Sequence, residues 1–111
     1  MTNKKKALDV LKNPMGKIIL VDLDQTLCDG TYWVGDKTHP PANKKVQELV
    51  WNLDDRGAFI VIWTARPLKA MKETYKWLGQ NNLQYPLACR IKPPSDLMID
   101  DKALNVDDVI K

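Results

Sequence analysis

The chain has 111 residues and a formal net charge of +3. Much of the basic excess lies in Lys4-Lys5-Lys6, which is interpreted as a solvated helix face or a frayed terminus rather than as a contact with nucleic acid. A chain of this length buries roughly two-thirds of the surface that its unfolded form exposes, which is enough for one core and excludes a separate substrate domain. No apolar stretch approaches the roughly 20 residues that span a bilayer, and no signal-peptide core follows the lysines, so we expect a soluble, cytoplasmic protein without membrane contact.

Residues 1–16 form a basic N-terminal segment, within which residues 3–12 are predicted to form a short amphipathic helix. Asn13-Pro14-Met15-Gly16 follows and ends that helix, because proline cannot continue it and glycine permits a sharp turn. We expect residues 17–111 to form a single domain.

An apolar run, Ile18-Ile19-Leu20-Val21, leads directly into the carboxylates of Asp22 and Asp24. Such a run is typical of a strand buried on both faces of a parallel sheet, so the first strand is predicted at about residues 17–22. Alternation along the strand directs Asp22 and Asp24 the same way at its carboxyl end, where open α/β sheets bind ligands. Paired carboxylates there either bind Mg²⁺ or divide the tasks of nucleophile and acid/base.

Residues 27–41 are predicted to form a β-hairpin followed by a stiff loop. The segment holds Tyr32-Trp33-Val34 between two glycines, and two prolines follow. The two aromatic residues fit a core position and a lid over the site equally well. His39, the one histidine of the chain, is interpreted as a solvated loop residue rather than as a substrate contact.

The residues from 42 to 56 show the spacing of a helix with one buried stripe, and Gly57 is placed to end it. The apolar residues of the stripe are Val46, Leu49, Val50 and Leu53. A right-handed connection should join this helix to a parallel second strand at residues 58–63.

The next helix is predicted to begin at Pro67, which suits a first helical turn, and to end at Gly79. The side chains expected to face the sheet are Leu68, Met71, Tyr75 and Leu78. Residues 83–91 hold a poor strand interrupted by proline, which suits a sheet edge. Strand Leu97 to Ile99 follows, and residues 103–111 are predicted to form a closing helix.

Three of the predicted strands end in polar residues. These ends are Asp22 with Asp24, Thr64-Ala65-Arg66, and Asp100-Asp101. Because parallel strands place their carboxyl ends at one edge of a sheet, and Lys92 precedes the last of them, the sequence predicts one site there.

Two cysteines, Cys28 and Cys89, are too few for a disulfide scaffold or a zinc site. Both are interpreted as reduced packing residues. Cys28 lies close enough to the predicted site that we expect thiol reagents to modify it.

In this combination the chain resembles the haloacid dehalogenase-like (HAD) superfamily of phosphohydrolases, from residue 17 to about residue 105. Asp22-Leu23-Asp24-Gln25-Thr26 matches the first motif of that family, Thr64 the second, Lys92 the third and Asp100-Asp101 the fourth. Gln25 departs from the glycine that most members carry, which suggests a slightly different turn.

The interval of eight residues from Lys92 to Asp100 is similar to that of the small capless phosphatases associated with capsule biosynthesis. A looser similarity, over Gly57 to Arg66 and then Thr74 and Trp77, is to the phosphatase domain of phage polynucleotide kinase.

The resemblance implies an α/β fold, a Rossmann-like three-layer sandwich whose parallel sheet has about four strands in the order 3-2-1-4. It also implies the absence of a cap domain and a short β-hairpin flap over the site, at residues 27–41. The family core continues with a fifth strand, so the chain is expected to be either a minimal form or a homodimer that protects its open sheet edge.

The resemblance also supplies the residue roles. Asp22 would attack phosphorus to form an aspartyl-phosphate, and Asp24 would protonate the leaving oxygen and then activate water. Mg²⁺ would be held by the Asp22 carboxylate, the Asp24 carbonyl and Asp100, with Asp101 ordering a coordinated water.

Phosphate oxygens would be held by Thr64 and the following amides, those of Ala65 and Arg66, at a helix N-terminus. Lys92 would neutralise the nucleophile and the transferring group. The Arg66 side chain would make either a further phosphate contact or a surface ion pair.

The substrate expected first is a sugar phosphate or a similar metabolite, because an open site suits a small molecule enclosed by a neighbouring subunit, a large phosphorylated molecule or a polymer end. A polynucleotide 3′-phosphatase is the second choice. A receiver-like signalling module and an inactive phosphate-binding module stay open as other classes. Receivers place their acidic pair on the first strand, whereas in this chain the adjacent pair Asp100-Asp101 follows the last predicted strand.

Overall fold

The computed structural model describes residues 2–30 and 40–100, with side chains from residue 5 onward. Its regular elements are α1 (Thr2–Lys12), β1 (Ile18–Asp22), α2 (Lys44–Asp55), β2 (Phe59–Thr64), α3 (Met71–Gln80), β3 (Leu87–Cys89) and β4 (Leu97–Ile99). In this part of the chain no helix has the length and apolar character needed to cross a bilayer. The predicted N-terminal helix and the predicted strands are confirmed to within a few residues at each end.

The four strands form one parallel sheet in the order β3-β2-β1-β4, as predicted. Strand β1 is central, with Ile19 in register with Ile60 on one side and Leu97 on the other. Asp96 joins β4 to the start of β1, because its Oδ2 accepts from the Ile18 amide at 2.7 Å and its own amide donates to the Ile18 carbonyl at 2.7 Å. Strand β3 lies at an edge, where the preceding proline is tolerated.

One face of the sheet forms the main core. Its side chains come from alternate strand positions and are almost fully buried: Ile19, Val21, Ile60, Ile62 and Ile99. All three helices contribute to the same cluster, through Val10 and Leu11, Val46, Val50 and Leu53, and Trp77 and Leu78. Burial of one such aliphatic side chain stabilises the fold by roughly 2 kcal/mol.

The opposite face carries Leu20, Val61 and Trp63, which do not belong to this cluster. The α/β class and the strand order are confirmed. The third layer of the predicted sandwich stays a prediction, since the closing helix expected at residues 103–111 lies outside the described residues.

Helix α2 begins at Lys44 because Asn43 caps it. The Asn43 side chain accepts hydrogen bonds from the amides of Lys45 at 3.1 Å and Val46 at 3.4 Å, which satisfies two donors of the first turn. The helix ends at Asp55, and Gly57 then turns the chain with φ +94°, a conformation that glycine adopts without a steric penalty. The predicted crossover helix and its buried stripe are thus confirmed.

The prediction for α3 is wrong in its start and in part of its buried face, although Leu78 is buried as predicted. Pro67 is extended, a short 3₁₀ turn follows at Leu68–Ala70, and the α-helix begins at Met71. Leu68 and Tyr75 are 70% and 55% exposed. Residues that the sequence did not assign to this face, among them Thr74, are buried instead.

Ala70, Thr74 and Trp77 follow the spacing i, i+4, i+7 of one helix face, and all three are buried. The Thr74 hydroxyl then donates to the Ala70 carbonyl at 2.8 Å, and the Trp77 ring nitrogen donates to the Pro40 carbonyl at 3.0 Å. Gly79 lies within α3, so the prediction that it closes the helix is also wrong.

The predicted flap leaves the sheet at the carboxyl end of β1. Its two flanks are antiparallel, with a bridge between Cys28 and Ala42 and a hydrogen bond of 2.8 Å from the Asp29 amide to the Pro41 carbonyl. Residues 31–39, which hold the two aromatic residues and His39, lie outside the described residues. The flap therefore stays a prediction, although its ends are held together.

Candidate active site at the carboxyl edge of the sheet

Strands β1, β2 and β4 end at one edge, and each ends beside a polar residue. Val21 pairs with Ile99, so the residues that follow, Asp22 and Asp100, stand level on strands about 4.8 Å apart. Thr64 is the last residue of β2, the other neighbour of β1. Asp101 lies outside the described residues.

The turn after β1 places Asp24 directly before one unusual backbone position. Asp22 and Asp24 are extended, while Gln25 has φ 61° and ψ 15°, the left-handed region that glycine favours. This conformation costs a residue with a side chain about 1 kcal/mol. The slightly different turn that the sequence comparison predicts at Gln25 stays a prediction.

Arg66 binds Asp24 in the interior rather than at the surface. Its Nε donates to both carboxylate oxygens of Asp24, at 3.2 and 3.1 Å, and its Nη2 donates to Oδ1 at 2.6 Å. Arg66 is 5% exposed, whereas the Asp24 side chain is 25% exposed. Arg66 therefore forms a partly buried ion pair, with a residue 42 positions away along the chain.

Two further side chains hold the guanidinium. Nη1 donates to the hydroxyl of Thr74 at 3.0 Å, and Nη2 lies 3.7 Å from the sulfur of Cys28. Sequence reasoning did not assign a role at this site to either Thr74 or Cys28. A buried threonine on a helix gives no local signal of an arginine partner, so only the packing of α3 against the site reveals it.

Thr64 is fully buried, and its hydroxyl accepts from the Arg66 amide at 3.1 Å. The first helical turn after Thr64 is the 3₁₀ turn at Leu68–Ala70, so the amides of Ala65 and Arg66 precede the helical segment. The intervening segment is extended at Pro67, which carries Arg66 inward toward Asp24. Ala65 is exposed at this edge.

Lys92 lies over the ring of Trp63, with its Nζ 4.6 Å from the ring centroid. Trp63 is in register with Asp22, so the two side chains leave the same face of the sheet on adjacent strands. This cation–π contact places the ammonium group near the end of β1. The alternation of side chains along β2 could have predicted this position from the sequence, since it puts Trp63 on the same face of the sheet as Asp22.

We expect Lys92→Ala to lower turnover of an aryl phosphate by a factor on the order of a hundred, because a positive charge near Asp22 stabilises charge that develops in the transition state. Steady-state kinetics at saturating substrate measure this. Lys76→Ala, at an exposed position on α3, is the matched control and should change turnover less than twofold. An equally small change in Lys92→Ala would show that Lys92 has no role in the reaction.

Cys28 is buried, and that burial raises the pKa of its thiol to about 12. The thiolate is the reactive form, so the thiol stays protonated and unreactive at neutral pH. Burial and the raised pKa both disfavour the expected modification of Cys28 in the folded protein. Cys89 is half-buried, and its sulfur donates to the Arg66 carbonyl at 3.3 Å.

We expect a maleimide at pH 7.5 to label the folded protein at Cys89 only and the denatured protein at both cysteines. Intact-mass spectrometry counts the labels. Cys89→Ser should then remain unlabelled until it is denatured. Rapid labelling of Cys28 in folded Cys89→Ser would mean that the thiol is accessible.

The acidic residues at this edge suit a hard cation. Within the described ranges no three side chains of His, Cys, Asp or Glu lie together as a metal-binding group. Mg²⁺ nevertheless needs only one or two carboxylates, because water and phosphate oxygens complete its coordination. Asp22 and Asp100, level on adjacent strands, supply oxygen donors of that kind.

The fold and the residues at the carboxyl edge of the sheet define the class of protein. It is an α/β domain with a parallel sheet, whose acidic residues lie at that edge beside a buried arginine. Comparisons of the chain with protein-family models, with curated proteins and with solved structures found no match. The geometry at the edge is therefore the basis for a function.

Proposed function

We propose that the protein is an HAD-like, Mg²⁺-dependent phosphomonoester hydrolase that acts through an aspartyl-phosphate. One observation carries the proposal: Asp22 stands level with Asp100 on the adjacent strand, while Asp24, two residues further on, is held by Arg66. Three carboxylates with different surroundings at the carboxyl edge of the sheet suit the roles of nucleophile, metal ligand and acid/base. The strained backbone at Gln25 supports this, because such strain concentrates at functional sites.

The reaction consists of two displacements at phosphorus. In the first, an Asp22 oxygen attacks phosphorus, the bond to the leaving oxygen breaks, and Asp24 gives that oxygen a proton. In the second, water attacks the aspartyl-phosphate and passes its proton to Asp24 while the bond to Asp22 breaks. Inorganic phosphate leaves, Asp22 is again a carboxylate, and Asp24 again carries the proton with which it began.

Charge is the main obstacle, because a carboxylate must approach a phosphate dianion. Mg²⁺, held by Asp22, Asp100 and the Asp24 carbonyl, would supply positive charge beside the transferring group. Lys92 contributes a second positive charge from its place over Trp63. A sugar phosphate or a similar phosphorylated metabolite is the proposed substrate, supported by the similarity to the capless capsule-type phosphatases.

The test is a panel of phosphomonoesters assayed with Mg²⁺ and with EDTA. The panel contains an aryl phosphate, several sugar phosphates and a 3′-phosphorylated oligonucleotide. We expect phosphate release that EDTA stops and added Mg²⁺ restores, with a sugar phosphate preferred. Preference for the oligonucleotide would change the substrate class, and no turnover of any compound would contradict the phosphatase function.

Acetyl phosphate separates the other classes. A phosphatase turns the reagent over, a receiver retains one phosphoryl group for minutes or longer, and an inactive module does neither.

We expect Asp100→Asn to raise the Mg²⁺ concentration needed for half-maximal activity by about tenfold, because an amide binds a hard cation more weakly than a carboxylate does. Magnesium titration of the steady-state rate measures this. Asp55→Asn, at the exposed end of α2, is the matched control. An unchanged titration for Asp100→Asn would remove Asp100 from the metal site.

A further inference from the structure

We propose that Arg66 is a positioning residue that fixes the Asp24 carboxylate for its proton transfers, and that Thr74 fixes Arg66 in turn. This role rests on the phosphatase function proposed above. It goes beyond that function by assigning an essential task to two residues other than the proposed nucleophile, metal ligands and acid/base.

The contact between Arg66 and Asp24 fixes an orientation as well as a charge. Nε bonds both carboxylate oxygens and Nη2 bonds Oδ1, so the two planar groups are joined at more than one point. A planar guanidinium holds a carboxylate in this way, whereas a lysine ammonium would act as a single point of charge. Rotation of the Asp24 side chain therefore requires these bonds to break.

Thr74 holds the guanidinium from the opposite side. Its single hydroxyl proton is directed to the Ala70 carbonyl at 2.8 Å, so its oxygen is presented to Nη1 of Arg66 as an acceptor at 3.0 Å. Thr74 is fully buried on α3. A continuous set of hydrogen bonds thus runs from a rigid helix through Thr74 and Arg66 to Asp24.

A direct contact between Arg66 and phosphate fits these observations less well. All three guanidinium nitrogens face protein atoms, those of Asp24, Thr74 and Cys28. With 5% of the residue exposed, little of Arg66 is accessible to a substrate. Its effect on the reaction must therefore pass through Asp24.

The experiment separates the two displacements by rapid mixing with p-nitrophenyl phosphate and Mg²⁺. Nitrophenol is a good leaving group that needs little protonation, so the first displacement tolerates a misplaced Asp24, whereas water attack in the second does not. The variants are Arg66→Lys, which keeps the charge without the fork, Thr74→Val, which removes the hydroxyl at similar volume, and Thr74→Ser, which retains it.

We expect Arg66→Lys and Thr74→Val to release the first equivalent of nitrophenol at a rate within about twofold of the parent. Their steady-state turnover should fall by about a hundredfold and about tenfold, respectively, within the range of acid/base contributions. Thr74→Ser should behave like the parent. The resulting burst, with slow turnover after it, is a change that a general loss of packing would not produce.

Other outcomes overturn the role of Arg66. A slower first turnover that needs more substrate would make Arg66 a phosphate contact, and a smaller burst amplitude with unchanged rates would reduce Arg66 and Thr74 to structural residues. Equal burst and turnover rates in Thr74→Val and Thr74→Ser would show that the Thr74 hydroxyl does not help to position Arg66 and Asp24. If the parent protein releases no nitrophenol at all, the phosphatase function itself fails, which is a result distinct from each of these.

Discussion

Asp22→Asn should abolish Mg²⁺-dependent phosphate release from an aryl phosphate, with a loss of turnover on the order of 10⁴ or more, as expected when a nucleophile is removed. The amide has nearly the shape of the carboxylate but cannot form the bond to phosphorus. Asp22 is half-buried at the end of β1, so an isosteric change should leave the sheet intact. A phosphate-release assay and a circular-dichroism spectrum measure the two effects together.

The matched control for this variant is Asp29→Asn, an exposed acid of the same connection that lies beyond the turn. It should retain the parental turnover. Activity retained by Asp22→Asn would rule out the covalent mechanism, and a collapsed spectrum would show that the substitution had unfolded the protein instead.

Asp24→Asn should accumulate the aspartyl-phosphate. The first displacement of an aryl phosphate still proceeds, but water attack on the intermediate loses its base. Mass spectrometry after brief mixing should show one added phosphoryl group, and reductive trapping should map it to Asp22. Asp22→Asn combined with Asp24→Asn is the control and should show no added mass.

The ion pair with Arg66 adds a second expected effect of Asp24→Asn. A buried guanidinium loses its charged partner, which should lower the free energy of unfolding by up to about 3 kcal/mol. Chemical denaturation measures this, and the mixing experiment must be done below the temperature at which the variant melts. Hydrolysis at the parental rate without any phosphoenzyme would mean that Asp24 is not the acid/base.

Local patterns in the sequence were sufficient for the sheet. The apolar runs before Asp22, Thr64 and Asp100 each became a strand, because burial on both faces requires a continuous apolar segment. The stripe in α2 and the turn at Gly57 predicted the crossover helix between the parallel strands β1 and β2. From these elements the shared edge of the acidic residues could be inferred, whereas the strand order was predicted through the resemblance to HAD phosphohydrolases.

Tertiary packing decided how the residues at that edge are used. An arginine after a strand is compatible with a surface ion pair, a ligand contact or a buried partner, and only the approach of α3 and the turn after β1 selects the pairing with Asp24. The same packing buries Cys28 and brings Lys92 over Trp63. The sequence by itself determined the strands and the edge where the carboxylates meet, because periodicity is local. The structure determined which side chains hold one another there, because those contacts join segments far apart along the chain.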